Sequence, residues 1–126
     1  MKLEDLEIYT LAREIGRTAW KIYSAMTWQQ RKVIGDQFVS AVDSVGANIA
    51  EGRGRFHFLD KNKFNYNARG SLFEGIHWLG VLFERKMISE NAYLDFRKQL
   101  DILHFKLNNY INLTKGQVAK GKIKTR

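Results

Sequence analysis

Residues 89–114 read SENAYLDFRKQLDILHFKLNNYINLT. Within them Tyr93, Phe96, Leu100, Leu103, Leu107 and Tyr110 step by three, four, three, four and three residues. That alternation keeps the apolar side chains on one seam of an α-helix, whereas a strand would turn them to alternate faces. Ser89 stands where an N-cap belongs, its hydroxyl placed to accept from the first free backbone N–H groups. The stretch therefore predicts a helix over about 89–114.

Three more amphipathic stretches precede it. Over about 3–24, Leu6, Tyr9, Ala12, Gly16, Ala19 and Tyr23 recur at helical steps, and Ile8, Leu11, Ile15 and Ile22 widen the apolar face to about half the helix. Thr27 and Gln30 form a capping-box pattern, so a second helix opens there and runs to Glu51, with Ile34, Phe38, Ala41, Val45 and Ile49 inward. Gly52 ends it. The connector Gly-Arg-Gly-Arg-Phe-His at 52–57 leads to a third helix, about 59–84, striped by Phe64, Ala68, Leu72, Ile76, Leu79 and Phe83. From Lys115 the pattern dissolves. These spacings predict an all-α protein: an antiparallel up-down-up-down four-helix bundle over 1–114, followed by a basic flexible tail over 115–126.

Composition agrees with one such domain. The chain has 126 residues, 44% of them hydrophobic and 13% aromatic, which is enough for a core and excludes a wholly disordered chain. It has no cysteine, which removes disulfides, thiolate nucleophiles and zinc–cysteine sites together. It has no proline either, so helices can run long. Twenty-one Lys and Arg against 13 Asp and Glu give a net charge of +8. No apolar run approaches the roughly 18 to 20 residues that cross a bilayer, so the expectation is a cytoplasmic protein with no membrane partner.

Several residues break local rules. Gly16, Gly35, Gly46, Gly70, Gly75 and Gly80 fall inside predicted helices, where each costs about 1 kcal/mol against alanine. Close approach of a neighbouring helix or ring would offset that cost; the alternative is a kink. Trp20, Trp28 and Trp78 are expected in the core or an interface, where they would fill the corresponding space, with exposed stacking platforms as the alternative. Asn48 and Glu51 share a face at the C-terminal end of the second helix, where the dipole disfavours a carboxylate. A polar cluster of Asn48, Glu51, Arg69, Ser71 and Glu74 is therefore expected to fix the register of the central helices, or of two subunits; otherwise Glu51 and Glu74 are ordinary solvated carboxylates.

The runs Ser44-Val45-Gly46-Ala47-Asn48-Ile49-Ala50-Glu51-Gly52 and Ala68-Arg69-Gly70-Ser71-Leu72-Phe73-Glu74, with Arg55 between them, resemble the signature of the four helix bundle proteins encoded in intervening sequences of bacterial 23S ribosomal RNA genes. The likeness extends over about 3–113. It implies an antiparallel bundle, commonly a homopentamer, related to the accessory variability protein of diversity-generating retroelements, whose basic pentamer binds nucleic acid and a reverse transcriptase. Three positions depart from the pattern. Val39 and Ser40 stand where the family often has two arginines, Gly46 where it has proline, and Gly75 where it has leucine.

Enzymatic chemistry has little to stand on. His57, His77 and His104 have no metal-ligand spacing, and no Glu-x-x-His, nucleophile elbow or phosphate-binding glycine loop occurs. The expectation is a non-enzymatic protein with no cofactor and no metal. What remains is cationic surface: Arg53, Arg55, Lys61 and Lys63 in the hairpin, interleaved with Phe56, Phe58 and Tyr66, and Lys115, Lys120, Lys122, Lys124 and Arg126 in the tail. Cations beside aromatics suit phosphate tracking and base stacking, so these nine residues are the expected nucleic-acid contacts; a solvated loop is the alternative. The leading expectation is an oligomeric scaffold or accessory protein that binds RNA or DNA. The second is a protein-interaction module, for example for a reverse transcriptase, and the third and weakest is a bundle that binds a small molecule or metal.

Overall fold

The computed structural model describes residues 2–124, the side chains of 121–124 excepted. Four helical units and no strand occur among them. Helix α1 is Glu7–Ser24, preceded by one 3-10 turn at Leu3–Asp5. Helix α2 is a continuous run made of Trp28–Gln30, a π-helical turn at Arg31–Gly35, and Asp36–Arg53. Helix α3 is Phe58–Glu84 and helix α4 is Glu90–Lys124. None of the described helices is long and apolar enough to cross a membrane.

The helix starts follow their side chains. Thr27 Oγ1 accepts from the Gln30 amide at 3.1 Å while Gln30 Oε1 accepts from the Thr27 amide at 2.9 Å, the reciprocal capping box expected of that pair. Ser89 Oγ accepts from the Ala92 amide at 3.1 Å and so opens α4. The end of α3 uses backbone alone. The Met87 amide reaches back to the Leu82 carbonyl and the Lys86 amide to the Phe83 carbonyl, with Lys86 left-handed at φ 58°.

One boundary differs from expectation, and α2 carries one irregularity. Helix α4 does not stop near 114 but continues to Lys124, because lysine, glutamine and alanine favour helix, no proline intervenes, and cations suit a helix C-terminus. Loss of apolar periodicity there marks the end of the packed seam, whose last buried residue is Thr114. The irregularity in α2 lies at Arg31–Gly35 and not at Gly46. Gly35 is buried there, and a Cβ on it would lie 2.7 Å from Met26 Sδ and 3.1 Å from the Tyr23 ring.

All four helices feed one core. Ile8, Ile15, Phe38, Val45, Leu72, Leu79, Phe96 and Leu103 are among its buried members, with Phe38 and Phe96 in ring contact at 5.6 Å. Contacts between successive helices pair rising numbers with falling ones. Ala12 and Gly16 lie against Gly46 and Asp43, Val42 and Gly52 against Gly75 and Phe64, and Phe83 and Asn62 against Tyr93 and Ile111.

The glycines divide. Added Cβ atoms at Gly16, Gly35 and Gly75 would come within 3.0, 2.7 and 3.3 Å of a neighbour, so close packing explains those three. Gly46 has ordinary room, and Gly70 and Gly80 meet nothing within 4 Å, because they lie on the outer side of α3. Of the tryptophans, Trp78 packs partly against the core, while Trp20 and Trp28 are exposed on this chain. The core between α1 and α2 is filled instead by small and branched residues such as Ala12, Ala19, Val42 and Val45.

Candidate nucleic-acid interface

The connection from α2 to α3 is tight because Gly52 has no side chain. A Cβ there would sit 3.0 Å from the Lys61 carbonyl oxygen and 3.0 Å from Phe64 Cβ. This approach lays the first turns of α3 across the end of α2. Lys61 Nζ then donates to the Arg53 carbonyl at 3.2 Å, which satisfies one of the free carbonyls at the helix end. Desolvation, assisted by the charge of Arg53, pushes the Lys61 pKa down. Lys61 is thus tied to the fold, while Arg53 beside it is half-buried.

The neighbouring cations are arranged around rings. Arg55 donates to Glu51 Oε1 at 2.6 Å, and its guanidinium lies 4.7 Å from the Phe64 ring centroid, with Lys63 Nζ at 5.9 Å from the same ring. The Tyr66 ring carries Arg69 at 5.1 Å and Lys115 at 5.7 Å. Arg69 is anchored across the α3–α4 contact by donating to Asn108 Oδ1 at 3.0 Å. Lys63, Tyr66 and Lys115, with Leu59, Asn62 and Val118, line a shallow groove of about 430 Å³ between the start of α3 and the far end of α4.

The hairpin and the C-terminal cations, far apart in sequence, therefore meet at Tyr66. Lys63, Lys115 and Lys120 are exposed, as is Phe56 at the tip of the connector. The side chains of Lys122 and Lys124, and Arg126 entirely, lie outside the described residues. Such a surface offers mobile positive charge next to aromatic faces, the combination that follows a phosphodiester backbone.

The expected polar cluster does not assemble within the chain. Asn48 Nδ2 donates to the Ser44 carbonyl at 2.9 Å on its own helix, Glu51 pairs with Arg55, and Arg69 turns to Asn108. Glu74 accepts from Trp78 Nε1 at 3.3 Å, and Ser71 is half-buried one turn away. Asn48, Glu51 and Glu74 find partners four residues off, and Arg69 finds one on α4, before they can reach across to their supposed mates. Buried polar register is supplied elsewhere: Asn65 Nδ2 donates to Asn62 Oδ1 at 3.2 Å, and Asn62 Nδ2 donates to the Ile111 carbonyl at 3.2 Å. Their spacing of three on the inner face of α3 was the available signal.

The histidines sit against rings, His57 on Phe56, His77 on Trp78 and His104 on Phe73. No group of three or more His, Cys, Asp or Glu that could hold a metal occurs among the described residues. A larger groove, about 670 Å³, runs between α1 and α2. Its rim carries Arg13, Arg17 and Lys21, whose spacing of four was visible in the sequence but was hidden among the apolar residues of a wide face.

A helical protein with one strongly cationic end is the class that this geometry defines. The chain belongs to the 23S rRNA-intervening sequence protein family, whose model matches residues 4–109. Among solved structures it is similar to a protein of unknown function from the S23 ribosomal protein family of Bacteroides thetaiotaomicron VPI-5482. The two are 20% identical with a TM-score of 0.78, over 82% of this chain and 97% of that one, a likeness of fold. None of the curated proteins compared with the chain matches it.

Proposed function

We propose that the protein is a non-enzymatic cytoplasmic scaffold, an antiparallel up-down-up-down four-helix bundle that assembles into a ring-like homo-oligomer and binds nucleic acid through its basic end. A pentamer is the subunit number that the family resemblance suggests. The carrying observation is the convergence of Arg69 and Lys115 on the Tyr66 ring, with Lys63 lining the same groove, which supports reading the hairpin and the C-terminal cations as one surface. Repetition of that surface around a ring multiplies weak phosphate contacts into useful avidity. Lys63, Lys115 and Lys120 are the contacts assigned to phosphate, with Arg55 behind them and Lys122, Lys124 and Arg126 extending the surface.

Binding of a fluorescent structured RNA and a matched duplex DNA across a salt series tests this. Log affinity should fall with log salt at a slope of about −0.7 to −0.9 per phosphate neutralised. The double variant Lys63→Glu, Lys115→Glu should flatten that slope and weaken binding at least tenfold. A specific observation favours a second reading: Phe56 and Leu59 are exposed beside the cations, as a protein docking site would have them. A protein-interaction module, with a reverse transcriptase as one candidate partner, predicts no nucleic-acid binding at physiological salt.

A further inference from the structure

The connector between α2 and α3 is only four residues long, 54–57, yet bulky side chains on it and just beyond it are left in water. Phe56 is 89% exposed, Phe58 41% and Leu59 65%. The backbone beneath them is fixed. The Gly54 amide donates to the Ala50 carbonyl at 3.2 Å, the Arg55 amide to the Gly52 carbonyl at 3.1 Å, and the Lys61 amide to the His57 carbonyl at 3.0 Å. The His57 ring stands at 87° to the Phe56 ring with centroids 5.0 Å apart, so two aromatic groups project together from a tied tip. Rings held this way lose little freedom when something stacks on them.

The rings further along α3 are already engaged. Arg55 and Lys63 lie by Phe64, and Arg69 and Lys115 by Tyr66, whereas among the described residues no cation lies over Phe56. Leu59, three residues after Phe56, lines the groove at Tyr66 and so joins the tip to it. That groove is lined by Lys63, Lys115, Asn62 and Asn67 and by no carboxylate among the described residues. Asn62 uses its amide on Asn65 and on the Ile111 carbonyl. Asn67 is exposed, with an amide that can both donate and accept.

Cations alone would serve any polyanion. A duplex keeps its base faces stacked inside and shows phosphate, sugar and groove edges, so an exposed ring gains little from it. An unpaired strand offers the faces of its bases to such a ring and their edges to an amide. We infer that this end of the molecule takes an unpaired nucleic-acid strand, with a base stacked on Phe56, phosphates led along Lys63 and Lys115, and Asn67 toward a base edge. The inference rests on the nucleic-acid reading above and adds the form of nucleic acid bound and the ring that selects it.

Fluorescence anisotropy with the full chain tests this on oligo-uridylate, oligo-thymidylate and a blunt DNA duplex, each about 15 nucleotides long. Either single strand should bind roughly tenfold or more tightly than the duplex at equal salt, and the tighter of the two identifies the sugar. Phe56→Ala should weaken single-strand binding by roughly fivefold to a hundredfold, the loss of one stacked base, while duplex affinity and both salt slopes stay unchanged because no phosphate contact is removed. Phe56→Trp should bind the strand at least as well as the parent. Since Phe56 lies on the surface, both variants should melt at the parent's temperature. Equal affinity for strand and duplex would overturn the inference and leave the nucleic-acid reading standing, as would a Phe56→Ala effect that is absent or falls equally on both. Failure of all three probes to bind at physiological salt would overturn both and assign the exposed tip to a protein partner.

Discussion

On α4 the residues Leu103 and Ile102 are neighbours in sequence and alike in chemistry, yet one is wholly buried and the other lies on the outer face. Helix α3 repeats the contrast, with Leu72 and Leu79 inside and Phe73 outside. The difference is in what covers each face. Three helices surround an inner seam, whereas an outer face in a four-helix fold has only solvent or another molecule. Hydrophobic content therefore does not measure how much of a helix its own chain can bury, and the surplus on α4 points outward to assembly.

Substitution at the two neighbours gives the largest effect. Leu103→Ala removes side-chain volume from a site that cannot collapse and should lower stability by about 2–5 kcal/mol in urea denaturation. Ile102→Ala should change the stability of the dissociated chain by less than about 0.5 kcal/mol. Equal losses at the two sites would mean that the outer face is covered within the chain, and the contrast would collapse.

A pair of glycines sharpens the same contrast at smaller cost. At Gly52 a new Cβ meets a backbone carbonyl and a Cβ, neither of which can swing away, so Gly52→Ala should destabilise by about 1–3 kcal/mol. Gly70 has open space around it, and Gly70→Ala should stabilise the dissociated chain by about 0.5–1 kcal/mol through helix propensity. Thermal melts of both variants decide the point. If Gly70→Ala is stabilising in the isolated chain but lowers the mass of the assembly, a second copy lies over that part of α3.

Much of this was legible before any coordinates. The seam on α4, the capping box at Thr27 and Gln30, and the inward set Ile34, Phe38, Ala41, Val45 and Ile49 depend on local spacing, and the structure keeps them. Where a property depended on a partner helix, spacing was insufficient. Asn48, Glu51 and Arg69 were expected to meet, but i to i+4 partners and Asn108 were nearer. Gly52 was read as a stop signal, while its role in bringing Lys61 and Phe64 against α2 needed the third dimension. The meeting of Lys115 with Tyr66, in a groove that Lys63 also lines, was similarly invisible, since it links positions about fifty residues apart and depends on α4 continuing past 114.

Asp43 gives the smallest and most discriminating effect, because it lies between the inner and outer worlds. Desolvation raises its pKa above the ordinary aspartate range, with Arg13 acting against that shift. In the dissociated chain the charged form is the disfavoured one. The stability contributed by the protonated carboxyl is full below the unfolded pKa and is lost as pH rises through the folded value. Asp43→Asn should therefore raise the melting temperature slightly at neutral pH and flatten its fall as pH rises above the ordinary aspartate range. A lower melting temperature for Asp43→Asn at neutral pH would mean that the attraction of Arg13 for the carboxylate outweighs its desolvation.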